Sequence, residues 1–247
     1  MITTIHQHFY NGRSGSEVCL ATIDGQLGVL KKNINQIADI IHKHSALPFD
    51  KPQLFWTSES DIFMQYIPGV SIKQYLEAAT VTDLNRLVTF IADYFNFCIQ
   101  HSVTKNYQTL LQSKTQQYTR FLPSGVDFKF DTVLPSSITH GDFTFDNILY
   151  YDNRFYMIDI HSTPFDSVAF DANKLRQDLT GLWFVRNESN KVNWQLSCNY
   201  IYKQLEKMFP ELFNDEIYKL MIARILPYCV VPDETEYLTR EIKRLCK

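Results

Sequence analysis

The sequence predicts an α+β protein of two parts, a small antiparallel sheet followed by a mainly helical region, and three observations predict it. Residues 1–67 fall into short runs of β-formers separated by glycine-containing turns. Beyond Pro68-Gly69 apolar residues recur at helical spacing, and a single β-rich island, Ile138–Asp159, interrupts the helices. At 247 residues the chain is long enough to bury a sizeable core without disulfide or metal staples.

Taken in order, the strand candidates of the first part are Ile5–Tyr10, Glu17–Ile23, Leu27–Lys31, Gln53–Thr57 and Ile62–Tyr66. Asn11-Gly12, Ser14-Gly15 and Asp24-Gly25 supply turns between them, because glycine and asparagine reach the left-handed backbone that tight hairpins need. One helix, Asn33–His44, is expected among the strands. Ile34, Ile37, Ile40 and Ile41 share a face, and Pro48 and Pro52 punctuate the chain after it.

In the second part Leu84, Leu87, Val88, Ile91, Phe95 and Cys98 form one apolar stripe, and longer mixed segments near 105–122, 171–186, 190–208, 211–225 and 233–245 read as further helices. Inside the island, Ile148–Tyr150 and Tyr156–Ile158 flank the turn Asp152-Asn153, a hairpin carried by the helical part. The expected division is therefore 1–67, a sheet lobe ending in a hinge, and 68–247, a helical lobe. Two lobes joined by a short hinge define a cleft, and clefts hold ligands.

Composition excludes several classes. The net charge is −3, which gives no general attraction to a phosphate backbone or an anionic membrane, so neither nucleic acid nor a membrane surface is an expected partner. The apolar run Ile225–Val231 is far shorter than a bilayer requires, and the opening MITTIHQHFYNGRSG has no basic region leading into an apolar one. A cytoplasmic setting is expected. Five cysteines without a C-x-x-C pair read as reduced structural thiols. Oligomeric state leaves no mark in the sequence.

The chemistry is concentrated in His140-Gly141-Asp142-Phe143-Thr144-Phe145-Asp146-Asn147, followed after the next strand pair by Ile158-Asp159-Ile160. An aspartate, an asparagine and a second aspartate converging on one hairpin mouth suit phosphoryl transfer. Mg²⁺ takes hard oxygen ligands, and an acceptor hydroxyl needs a carboxylate to orient it and take its proton.

HGDFTFDN followed by YMIDI resembles the kinase-like phosphotransferases of the aminoglycoside phosphotransferase and choline kinase type, whose pattern is H-G-D-x-x-x-x-N and then I-D. The resemblance implies a protein-kinase-like bilobal fold, with Asp142 as catalytic base, His140 bracing the loop, and Asn147 and Asp159 as Mg²⁺ ligands. Less specifically, Gly12, Ser14, Gly15 and Ser16 occupy the place of the family's nucleotide loop, and Lys31, preferred to Lys32, the place of its phosphate-binding lysine. Backbone groups of Gln65 and Ile67 would meet the adenine or guanine of ATP or GTP at the hinge. Asp166 and Asp171 match a downstream stretch in which Asp171 would cap a helix.

The helix Asn33–His44 contains no glutamate to pair with Lys31, and Gln36 and Asp39 are the candidates in its place. Near the C-terminus, Trp183, Trp194, Tyr200, Tyr202, Tyr218 and Tyr228 together with acidic residues read either as an acceptor site or as aromatic core beneath solvated acidic faces. The expected activity is transfer of the γ-phosphoryl group of ATP or GTP to a hydroxyl of a small molecule, a sugar or an amino alcohol. A non-catalytic nucleotide-binding scaffold and a nucleotidyl transferase of the same fold are the competing readings.

Overall fold

The computed structural model describes residues 3–9, 16–229 and 232–246. In chain order the first elements are β1 (Thr3–Phe9), β2 (Glu17–Ile23), β3 (Gln26–Lys32), α1 (Ile37–Ala46), β4 (Leu54–Thr57), β5 (Ile62–Gln65), β6 (Val70–Ser71), α2 (Ile72–Glu77) and α3 (Val81–Gln100). There follow β7 (Val103–Asn106), α4 (Gln108–Thr119), β8 (Val133–Ser136), β9 (Ile148–Tyr151), β10 (Arg154–Met157), α5 (Val168–Leu179), α6 (Val192–Met208), α7 (Asp215–Ala223) and α8 (Pro232–Leu245). Two compact units result, one of residues 1–70 with 148–162 and the other of residues 71–147 with 163–247.

The first unit is built on a five-stranded antiparallel sheet in the order β1-β2-β3-β5-β4. Alternation drives it: Cys19, Ala21 and Ile23 of β2 point inward at every second position and meet Leu30 and Phe63, with Phe55 and Trp56 packed against them. Asp24 and Gly25 both take positive φ, 49° and 86°, the backbone of a two-residue hairpin turn between β2 and β3. Gly28 has no substitute: a Cβ there would lie 2.5 Å from the Met64 carbonyl oxygen and 2.6 Å from the Phe63 ring.

Two expectations for this unit change. The helix starts at Ile37 and not at Asn33, because Asn33 and Gln36 both adopt left-handed backbone, φ 58° and 57°, which no α-helix accommodates. The β9–β10 hairpin groups with the sheet unit and not with the helices. The Met157 N–H donates to the Asp50 carbonyl at 2.8 Å, and Gly69 lies so close to β9 that a Cβ on it would stand 2.9 Å from the Tyr150 carbonyl oxygen. The chain thus parts after residue 70, and again around 148–162, whereas a single break after 67 was expected.

In the second unit α3 carries the stripe read from the sequence, with Leu84, Leu87, Val88, Ile91, Phe95 and Cys98 all buried. A capping box between Thr80 and Asp83 starts it, the Thr80 side chain accepting from the Asp83 N–H and the Asp83 carboxylate from the Thr80 N–H. Helix α5 is buried almost all round and packs on α7 and α6. Residues 105 and 106 are not helical but end β7, which pairs with β8 from Val103↔Ser136 to Asn106↔Val133. The 211–225 segment divides into a 3₁₀ turn, Pro210–Leu212, and α7, with Asn214 capping the helix through the N–H groups of Glu216 and Ile217.

Candidate active site

Each unit holds its own set of polar residues. In the sheet unit, Lys31 sits in β3 opposite Ile62 of β5, buried, and its ammonium pairs with the Asp159 carboxylate. Successive strand residues face opposite ways, and Lys32 accordingly reaches Glu17, at 3.5 Å. Asp159 follows β10 with φ 57°, a left-handed backbone that costs an aspartate energy and that the packed surroundings must impose.

The second oxygen of Asp159 accepts from His161 Nε2 at 3.2 Å, and Lys43, itself buried, donates to the His161 carbonyl at 2.9 Å. Burial alone would push the Asp159 carboxyl up. The hydrogen bond from His161 and the charge of Lys31 outweigh it and hold the group well below the usual carboxylate range. The candidates for a lysine partner on α1 are placed otherwise: Gln36 precedes the helix, and Asp39 accepts from Ser162 Oγ at 2.5 Å. Asp159 itself is the carboxylate that holds Lys31.

At the expected hinge, the Gln65 N–H donates to the Gln53 carbonyl at 2.8 Å and its side-chain oxygen accepts from the Gln53 N–H. Ile67 is buried. Gly12, Ser14 and Gly15 lie outside the described residues, and Ser16 stands half-buried just before β2. A cavity of about 30 Å³ beside Lys31 and Asp159, walled by Ile34, Ile62, Met64 and Met157, has room for one water and belongs to the packing of this unit.

In the helical unit the loop 140–147 is tied down along its whole length. His140 is fully buried, and its Nδ1 accepts from the Asp142 N–H at 3.3 Å, which makes the histidine a brace for the aspartate. Gly141 takes φ 86°. Its N–H donates to Asp171 Oδ2 at 3.2 Å, while Tyr94 Oη accepts from the His140 N–H at 2.7 Å and donates to the same Asp171 oxygen at 2.5 Å. Phe143 stacks on Tyr94 with ring centroids 4.4 Å apart, and the Phe145 N–H donates to Asp178 Oδ2 at 2.8 Å.

Asp142 remains accessible, its side chain 33% exposed, and both its oxygens are engaged: Lys174 Nζ lies 2.9 Å from Oδ1 and Asn147 Nδ2 donates to Oδ2 at 3.1 Å. Asn147 also donates to the Asp142 carbonyl, so both its hydrogen bonds use the amide nitrogen and its oxygen is left as an acceptor. Burial pushes the neighbouring Asp146 carboxyl up, against the charge of Arg186 and with that of Asp142.

Asp171 is not the helix cap expected of it. Ser167 caps α5 through the Ala169 N–H, and Asp171 lies within the helix, buried against the loop. Asp166 ties β7 and β8 together, accepting from Lys105 at 2.8 Å, Tyr107 at 2.7 Å and Ser136 at 3.1 Å. Lys174, Asp178 and Tyr94 have no counterpart in the sequence reading; a periodicity search for polar residues on the buried face of α5 would have found the first two.

The aromatic residues of the C-terminal part do not form one cluster. Tyr218 is core, Trp183 packs on Tyr237, and Tyr200 and Tyr202 bond Asn85 and Glu206. Trp194 differs: with Glu77, Asn190 and Asn193 it lines a cavity of about 270 Å³, and its Nε1 donates to the Lys73 carbonyl of α2 at 3.2 Å. Helix α2 packs on the 3₁₀ turn Phe145–Asn147 that ends the loop. Lys73 pairs with Glu188 and its charge acts on Asp146.

Among the described residues no three His, Cys, Asp or Glu side chains form a metal cluster, and no helix is long and apolar enough to cross a membrane. The donors proposed for Mg²⁺ fit its chemistry one by one: the Asp159 carboxylate is held ionised, and the Asn147 amide is oriented with its oxygen unused.

No family model and no curated protein matches the sequence. Solved structures do match the fold. An aminoglycoside phosphotransferase APH(4)-Ia mutant in ternary complex with ADP and hygromycin B is similar over 97% of this chain and 92% of its own, at 13% identity and a TM-score of 0.60. ADP-bound aminoglycoside phosphotransferase APH(2'')-Ib is similar over 98% and 93%, at 13% identity and a TM-score of 0.57. A glucosamine kinase is similar over 100% and 80%, at 12% identity and a TM-score of 0.55. The fold is the α+β fold of the protein-kinase-like phosphotransferases.

Proposed function

We propose that the protein transfers the γ-phosphoryl group of ATP or GTP to a hydroxyl of a small molecule. The observation that carries this reading is Asp142, an accessible carboxylate fixed through both oxygens on a loop anchored at His140, Gly141 and Phe145. Orienting an acceptor hydroxyl demands such a preorganised carboxylate. Asp142 accepts the hydroxyl hydrogen bond and takes the proton as the acceptor oxygen bonds to phosphorus and the bond to the leaving nucleoside diphosphate breaks.

Lys31 is assigned to the phosphates, and Asn147 and Asp159 each offer oxygen to Mg²⁺, which when bound would neutralise phosphate charge. Since Gln53 holds the Gln65 N–H, the backbone of Ile67 is the assigned contact for the base. Two of the aminoglycoside phosphotransferase structures it resembles are ADP complexes, which supports the nucleotide. The acceptor class assigned is a sugar or amino alcohol. The neighbours are described as aminoglycoside phosphotransferases and glucosamine kinase, and the Trp194 cavity offers a stacking face beside two amides and a carboxylate. A cytoplasmic site of action accords with five free cysteines.

The test is a transfer assay with ATP and GTP against sugars, amino alcohols and aminoglycosides, repeated with Asp142→Asn. Turnover should fall by about 10²–10⁴-fold while Mg²⁺-nucleotide affinity holds, because the base is lost and the binding groups are kept. An Asp142→Asn enzyme with undiminished turnover overturns the assignment. Nucleotide binding without transfer to any hydroxyl favours the scaffold, and release of pyrophosphate favours nucleotidyl transfer.

A further inference from the structure

One face of α5 holds the loop at three successive points. Asp171, Lys174 and Asp178 are spaced three and four residues apart and so share a helix face. Asp171 receives the Gly141 N–H, Lys174 reaches the Asp142 carboxylate, and Asp178 receives the Phe145 N–H. The outer two contacts fix backbone. The middle one touches the side chain on which the chemistry is proposed to turn.

Lys174 is the only residue of α5 from Val168 to Leu179 that is not fully buried, and its side chain is still only 14% exposed. A lysine ammonium withdrawn from water to that degree needs a compensating charge. The Asp142 carboxylate stands 2.9 Å from it, and the charge of Lys174 also acts on Asp178. The contact with Asp142 is a direct ion pair.

We propose that Lys174 is a positioning residue for phosphoryl transfer. It fixes Asp142 Oδ1 while Asn147 fixes Oδ2, so that the carboxylate plane, and with it the lone pair offered to the acceptor hydroxyl, has one orientation. This proposal rests on the phosphotransferase reading. It adds a residue that lies outside the H-G-D-x-x-x-x-N pattern and reaches the site from a helix. Two anchors on a carboxylate remove the rotation about its last bond, and misplacement by about 1 Å can cost about 10²-fold in rate.

The test uses the full-length protein, saturating nucleotide and an acceptor identified by the transfer assay. Lys174→Met should lower kcat by about 10²-fold and leave the KM for nucleotide unchanged, and Lys174→Arg, which keeps a charged donor, should recover part of the loss. In an Asp142→Asn background Lys174→Met should add little, since the carboxylate it positions is gone. A residue that merely supports the fold would lower the rate in both backgrounds alike, and that result overturns the proposal. So does wild-type kcat in Lys174→Met. Should the methionine variant not fold, Lys174→Gln takes its place under the same criteria. Full turnover in Asp142→Asn alone would instead overturn the phosphotransferase reading, so the two failures are told apart.

Discussion

At the scale of single residues, two adjacent lysines of one strand have different work. Lys31 is buried and paired with Asp159, whereas Lys32 reaches the solvent side and Glu17. Lys31→Met should therefore reduce Mg²⁺-nucleotide affinity by more than tenfold in calorimetry and Lys32→Met by less than twofold. The reverse order would show that the phosphate contact has been given to the wrong lysine. His140, Asp142, Asn147 and Asp159 were legible because a short stretch of chain fixes their spacing. Lys174 and Tyr94 were not, because they reach the loop only through packing of distant helices, and no local pattern records that. The absent α1 glutamate was visible in the sequence, but that Asp159 takes Lys31 required the fold.

Among the elements, the apolar stripe of α3 was legible because it is buried on one face, while the Thr80 to Asp83 box that starts the helix emerged only with the fold. The β7–β8 pair could not. Every residue of β7 is exposed, so it carries no alternation of apolar and polar positions, and its neighbour α4 has a mostly polar sequence. What holds that pair is Asp166. Its carboxyl is pushed up by burial but is brought below its ordinary value by hydrogen bonds from Lys105, Tyr107 and Ser136. Tyr107→Phe deletes one hydrogen bond to a charged acceptor and should cost about 1.5–3 kcal/mol in urea denaturation. A loss within a few tenths of a kcal/mol would mean that Lys105 and Ser136 suffice. In the sheet unit, Gly28→Ala should destabilise, since both the Met64 carbonyl and the Phe63 ring stand where its methyl would go.

For the whole molecule, carboxylates of two kinds set opposite slopes of stability against pH. Asp166 and Asp159 titrate below their unfolded values, so their contribution is present above about pH 4 and is lost as pH falls through the folded values. Asp178 goes the other way: full burial and then the charge of Asp146 push it up to about 8, against the hydrogen bonds from Phe145 and Phe184 and the charge of Lys174. Its folded form holds a proton that the unfolded chain releases near pH 4, so its stabilisation is complete below that and declines as pH rises towards 8, by at most about 1.4 kcal/mol per unit. Thermal melts from pH 5 to 9 should show that decline flattening above about pH 8, and Asp178→Asn should remove it. A slope unchanged in the variant would assign the linkage to another group.

The hairpin 148–162 has a consequence for the order in which the protein can be made. The sheet unit draws residues 1–70 from the start of the chain and the β9–β10 hairpin from far beyond them, with the first segment of the helical unit in between. A ribosome that has delivered all five strands of the sheet has therefore not yet delivered the carboxylate that neutralises Lys31, nor the Met157 amide that closes on Asp50. Until residue 159 has been made Lys31 lacks its carboxylate partner, and the unit is complete only with residue 162. Asp159, assigned to the metal, would thus be among the last residues to join the unit that carries it, and a chain cut short before Ile148 would leave a sheet that keeps Lys31 without its carboxylate partner.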